Sequence, residues 1–157
     1  MPALQVWELL SYIVTVVGLP LAIAVFIFEQ RKERDNEDEE VYQLLSDNYL
    51  EFLKVALGHP DLRLFASEVN PALSAEQRER MFIIFSMLVS LFERAYLLLH
   101  EESMKEKQLR RWRSWEDYMG EWCSRADFRT LLPVLLRGED PEFANYIQKL
   151  AASYPAA

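Results

Sequence analysis

The stretch FERAYLLLH (92–100) sets Arg94 and His100 five residues apart, a proton carrier and an anion binder near one helix end. An imidazole gives or takes a proton near neutral pH, and a guanidinium steadies an anionic oxygen. Together they suit acid–base chemistry on an RNA phosphodiester, with histidine acting at the 2′-hydroxyl. The same two residues also suit an ordinary helix end. Arg94 then pairs with an acid and His100 caps the last turn, where the helix dipole favours a cation. The rest of the chemical inventory is thin: His59, His100 and Cys123 are its only soft ligands. That falls short of a zinc site, and neither a metal nor a cofactor is expected. Cys123 as a nucleophile needs a base beside it, and a lone buried thiol is ordinarily a packing residue. The chain has no glycine-rich phosphate loop, GxSxG elbow or HExxH motif.

The elements that must position these residues read as helices. From Val41, the residues Leu44, Leu45, Tyr49, Phe52, Leu53, Ala56 and Leu57 recur at spacings of three and four, and GHPD (58–61) stops the run. Ser74 and Gln77 form a capping box ahead of a long helix reaching about Leu99, with an apolar face from Met81 to Leu99. A third helix over about 103–125 carries Trp112, Trp115 and Trp122 as core or helix-interface anchors. Asp127 is expected to cap a short helix to Arg137, bent at Pro133. GEDPEF (138–143) holds a glycine stop, an N-cap aspartate and a proline at the first helical position of a last helix, to about Ala151. The fold class expected is all-α.

Upstream, Glu8 and Glu29 bracket twenty uncharged residues. As a helix that length covers roughly 30 Å, the hydrocarbon thickness of a bilayer. Nothing basic precedes the run and no small-residue cleavage site closes it, so the reading is an uncleaved transmembrane helix over 9–28 rather than a signal peptide. Arg31, Lys32 and Arg34 follow it directly, while residues 1–8 carry no lysine or arginine. The positive-inside rule then leaves 1–8 outside and the remainder in the cytoplasm. Segment 29–40, with seven acids and three bases and no glycine or proline, is expected to continue as helix to a cytoplasmic domain over 41–157.

Within the span, Ser11, Thr15, Gly18 and Ala22 fall within an arc of about 60°. Small residues on one stripe let neighbouring helices approach, and the same stripe would serve equally to line a pore. Pro20 removes one backbone donor and predicts a kink.

The net charge of −8 argues against a duplex nucleic-acid binder working by bulk electrostatics, although KEKQLRRWR (105–113) concentrates five basic residues. One cysteine allows no internal disulfide, in keeping with a reducing compartment.

The ordering of these features resembles a broad group of small single-span bacterial membrane proteins of unassigned function. The blocks that carry this are the span, YLEFLKVALGHPDLRLF (49–65), LVSLFERAYLLL (88–99) and WRSWEDYMGEWCSRADFRTLL (112–132). More distantly, the layout is similar to the membrane-anchored accessory proteins of type VI CRISPR systems, which join an N-terminal membrane helix to a divergent HEPN-like domain. The spacing of Arg94 and His100 matches the arginine–histidine signature of HEPN ribonucleases, whereas Ala95 departs from the polar residue usual after the arginine. That resemblance implies a homo-oligomeric ring in the bacterial inner membrane that strengthens antiviral defence by permeabilising the bilayer. Three expectations follow: a non-enzymatic pore-forming or membrane-perturbing oligomer, a tethered adaptor recruiting a cytoplasmic protein, or a HEPN-like ribonuclease acting on RNA.

Overall fold

In the computed structural model, the structure describes residues 2–66 and 72–154, and for residues 2–17 the backbone alone. The described residues form five α-helices and no strand, so the chain is all-α. They are α1 (Pro2–Leu57), α2 (Ala75–Leu99), α3 (Glu106–Ser124), α4 (Ala126–Leu135) and α5 (Pro141–Ser153), with a single 3-10 turn at Pro60–Leu62 after α1. The chain divides into two compact units, 1–41 and 42–157.

The first unit is the N-terminal part of α1. Helix runs through Pro20 and through the charged segment 29–40 without interruption. From residue 19 to residue 28 the large apolar side chains Leu19, Leu21, Ile23, Val25, Phe26, Ile27 and Phe28 are all exposed. At 100° per residue they point to every side of the helix.

In the second unit, the end of α1 and α2–α5 enclose one core. Tyr49 and Phe52 of α1 meet Trp115 and Trp122 of α3 in register, so these two segments run parallel. Tyr96 and Phe85 of α2 meet Trp112 and Trp122 of α3 in the reverse order, so α2 runs antiparallel to α3. Trp122 is the hub: its ring touches Phe52, Phe65, Phe85 and Phe128, one residue from each surrounding segment. The three tryptophans of α3 are all buried, as anchors of a helix interface should be.

Local chemistry sets the ends of the helices. Ser74 accepts from the Gln77 backbone while the Gln77 side chain accepts from the Ser74 N–H, which closes the expected capping box. Asp140 accepts from Glu142 and Phe143, with Pro141 at the first position of α5. Gly138 supplies the φ of +93° that reverses the chain between α4 and α5. The expected cap at Asp127 is displaced: the chain passes from α3 to α4 at Arg125, and Asp127 sits in the first turn of α4, bound to the Arg125 guanidinium. A strong ion pair wins over an aspartate cap here, because both groups are nearly buried.

Among the described residues one helix, α2, is long and apolar enough to cross a membrane. Its Phe85, Leu88, Val89, Phe92 and Ala95 face is packed in the core of the second unit.

Candidate functional site

The C-terminal end of α2 holds the residues with the clearest chemical character. His100 terminates the helix, its backbone N–H donating to the Tyr96 carbonyl. Its ring stacks on Tyr96 at 4.6 Å and meets Trp112 of α3 at 4.9 Å and Tyr146 of α5 at 5.5 Å. Those three rings also touch each other, so the imidazole is one member of a filled aromatic nest. On the nest's polar side the Tyr146 hydroxyl donates to Glu116. Burial first, and then the Glu116 carboxylate, hold the Tyr146 phenol protonated far above its usual range. Burial raises Tyr96 as well, helped by Glu142 and Asp140.

Arg94 is exposed, six positions back along the helix. Six residues turn a helix through about 240° and advance it about 9 Å, so the guanidinium leaves α2 on a different side from the nest. Among the described residues no ion pair involves Arg94.

One turn upstream, on the same side as Tyr96, Glu93 reaches the start of α5. It accepts from the Asp140 N–H and lies against Glu139. Burial, followed by the hydrogen bond to Glu93 and repulsion from it, pushes Glu139 up to about 7, so that near neutral pH this pair shares a proton.

A second polar network lies at the turn after α1. Arg80 of α2 pairs with Asp61 at 3.0 Å, Gln77 donates to the same carboxylate, and His59 Nδ1 lies 3.3 Å from Arg80. Beside it a shallow groove of about 320 Å³ runs between Leu53 and Leu57 of α1 and the 59–66 segment. Arg63 in this segment has φ of +50°, a left-handed conformation unfavourable to any side chain with a Cβ. The Arg125 guanidinium accounts for it, donating to the carbonyls of Leu64 and Ala66 while bound to Asp127.

Cys123 is fully buried, and desolvation pushes its thiol up to about 12, so no thiolate nucleophile forms near neutral pH. Among the described residues no group of three or more His, Cys, Asp or Glu could hold a metal ion. In the basic segment, Lys105, Lys107, Arg110 and Arg113 are exposed, while Arg111 lies over the Tyr42 ring at 4.8 Å. The tryptophans near them face inward and offer no open ring for a base to stack on.

For the stripe in the first unit, the side chains of Ser11 and Thr15 lie outside the described residues. Gly18 is half-buried, and Pro20 and Ala22 are exposed. Sequence reasoning missed the Glu93–Glu139 pair and the Arg125 hub. Their partners are 46 and about 60 residues apart in the chain, so no local pattern marks them. No family model matches the chain, and neither a curated protein nor a solved structure does.

Proposed function

We propose that the chain is a single-pass membrane protein whose span, residues 9–28, self-associates, and that the assembly perturbs or opens the bilayer without enzymatic chemistry. The observation that carries this is the helix over 18–28, whose large apolar side chains are exposed on every side. A helix apolar all round is stable only when lipid or other helices surround it. The cluster Arg31, Lys32, Arg34 orients the span with residues 1–8 outside and 29–157 in the cytoplasm of a bacterial cell. One helix cannot enclose a pore, so the function requires a ring of several copies packed along Ser11, Thr15, Gly18 and Ala22. Antiviral defence is the setting implied by the resemblance to the CRISPR accessory proteins.

The test is dye release from liposomes containing the full chain, beside the mass of the detergent-solubilised protein. Wild type is expected to form a defined assembly of several chains and to release dye. Gly18→Leu places a bulky side chain on the stripe and should abolish both. Release undiminished by Gly18→Leu would show that the stripe is not the functional surface.

A second reading, a tethered adaptor, is favoured by the groove beside α1, where Leu57 and Phe65 are 81% and 57% exposed. It predicts a stoichiometric cytoplasmic partner and no dye release. A HEPN-like nuclease predicts RNA cleavage lost in both Arg94→Ala and His100→Ala; the ring nest around His100 counts against a free general base.

A further inference from the structure

The start of α5 is fastened to α2 by carboxyl groups with no cation between them. Glu93 accepts from the Asp140 N–H, and the Glu139 carboxyl lies in hydrogen-bond contact with the same Glu93 side chain. Two carboxyl groups hold such a contact when one of them carries a proton, because two anions at that distance repel. The surroundings supply no other compensation. From α5 come Asp140, which caps its own helix, and Glu142, also an acid. On α2, Arg94 is exposed and leaves the helix about 100° round from Glu93, while burial keeps Tyr96 neutral. Arg137, just past α4, is exposed, and from α3 comes Glu116, engaged with Tyr146. Among the described residues no ion pair involves Glu93 or Glu139.

The contact holds a turn that is weakly bonded in itself. The backbone bonds from Arg137 to Val134 and from Glu139 to Leu136 are both 3.3 Å long, at the far end of the useful range. Gly138, between them, has φ of +93°, and a Cβ there would meet nothing within 4 Å. Beyond the turn, Phe143 in the first turn of α5 is fully buried and touches Tyr96 at 5.8 Å. Whatever loosens the start of α5 therefore loosens one wall of the ring nest around His100. We propose that the turn before α5 is a proton-controlled clamp: one proton held between Glu93 and Glu139 fastens the first turn of α5 to α2, and its loss frees that turn to lift Phe143 from Tyr96. The clamp lies outside the span and does not rest on the span's self-association.

The direction of control follows from which state holds the extra proton. Glu139 sits at about 7 in the closed turn and returns to 4.5 once the turn is open. Opening is therefore rarest below about pH 4.5, grows by close to tenfold per unit between about pH 5 and 7, and levels off above 7.

The experiment is hydrogen exchange of the full chain in detergent from pH 5 to pH 8.5, corrected for the intrinsic rate of each amide. Protection over 141–147 is expected to fall at least tenfold between pH 5 and pH 7 and to level off beyond it. Segment 115–122 of α3 serves as the reference and should not follow that profile. Glu139→Gln and, separately, Glu93→Gln keep a donor and an acceptor in the contact but remove the second charge. Each should hold 141–147 at the wild-type pH 5 level of protection at every pH. Wild-type protection indifferent to pH overturns the proposal. So does a slope that survives in both variants, since another group then carries it. A reference segment with the same profile also overturns it, because the opening is then global and no clamp is involved.

Discussion

Burial decides the chemistry of two side chains that look reactive when read alone. Cys123 has its thiol pushed from 9.0 to about 12 by the apolar core around it. It should resist a maleimide at pH 8 in the native protein and react at once in denaturant; fast native alkylation would contradict the packing. Because the folded value is the higher one, the thiol's contribution to stability is complete below pH 9 and is lost as pH rises toward 12. Glu139 makes the same argument nearer to neutrality. Its value, raised from 4.5 to about 7 beside Glu93, means that the folded state holds a proton which the unfolded chain has released. That contribution is complete below about pH 4.5 and is lost as pH rises through 7. Glu139→Gln keeps the hydrogen bond to Glu93 without the second charge. It should therefore raise the melting temperature at pH 8 and leave it little changed at pH 5. An equal effect at both values would dissociate the pair.

At the level of elements, the junction between α3 and α4 is the least replaceable. Arg125 is 12% exposed and Asp127 9%, and the same guanidinium binds the backbone of the 63–66 segment. Arg125→Ala would leave the nearly buried Asp127 carboxylate with the Phe128 N–H but no cation, and would take the guanidinium from the Leu64 and Ala66 carbonyls. The expected loss is about 3 kcal/mol, read from denaturant unfolding. Arg125→Lys should recover only part of it, since an ammonium cannot bind Asp127 bidentately. A loss no larger than that of an ordinary surface substitution would mean that water replaces the guanidinium. The caps and stops of α2 and α5 were legible in the chain because they act within four residues. Ser74 with Gln77, and Asp140 with Pro141, need nothing from the rest of the fold. The predicted cap at Asp127 was misplaced for the opposite reason. Arg125, two residues away, takes its carboxylate, and a contact with a segment about 60 residues away holds that guanidinium in place.

For the whole molecule, the question is how many copies act together. A detergent-solubilised mass of several chains that falls to a single chain in Gly18→Leu would agree with self-association through the span. A monomer in the wild type as well would remove that surface and shift attention to the groove lined by Leu57 and Phe65.

The sequence by itself determined what depends on short range: the helices, their caps, the uncharged run at 9–28, and the inward role of the tryptophans. Periodicity and capping are properties of neighbours in the chain, and neighbours are what a sequence displays. Only the tertiary structure decided which long-range groups meet. It enclosed His100 in three aromatic rings, set Glu139 against Glu93, and left the Ile83–Met87 side of α2 open to solvent. Each of these follows from how helices distant in sequence pack. The spacing of Arg94 and His100 carries no information about whether a ring will be covered by Trp112 and Tyr146.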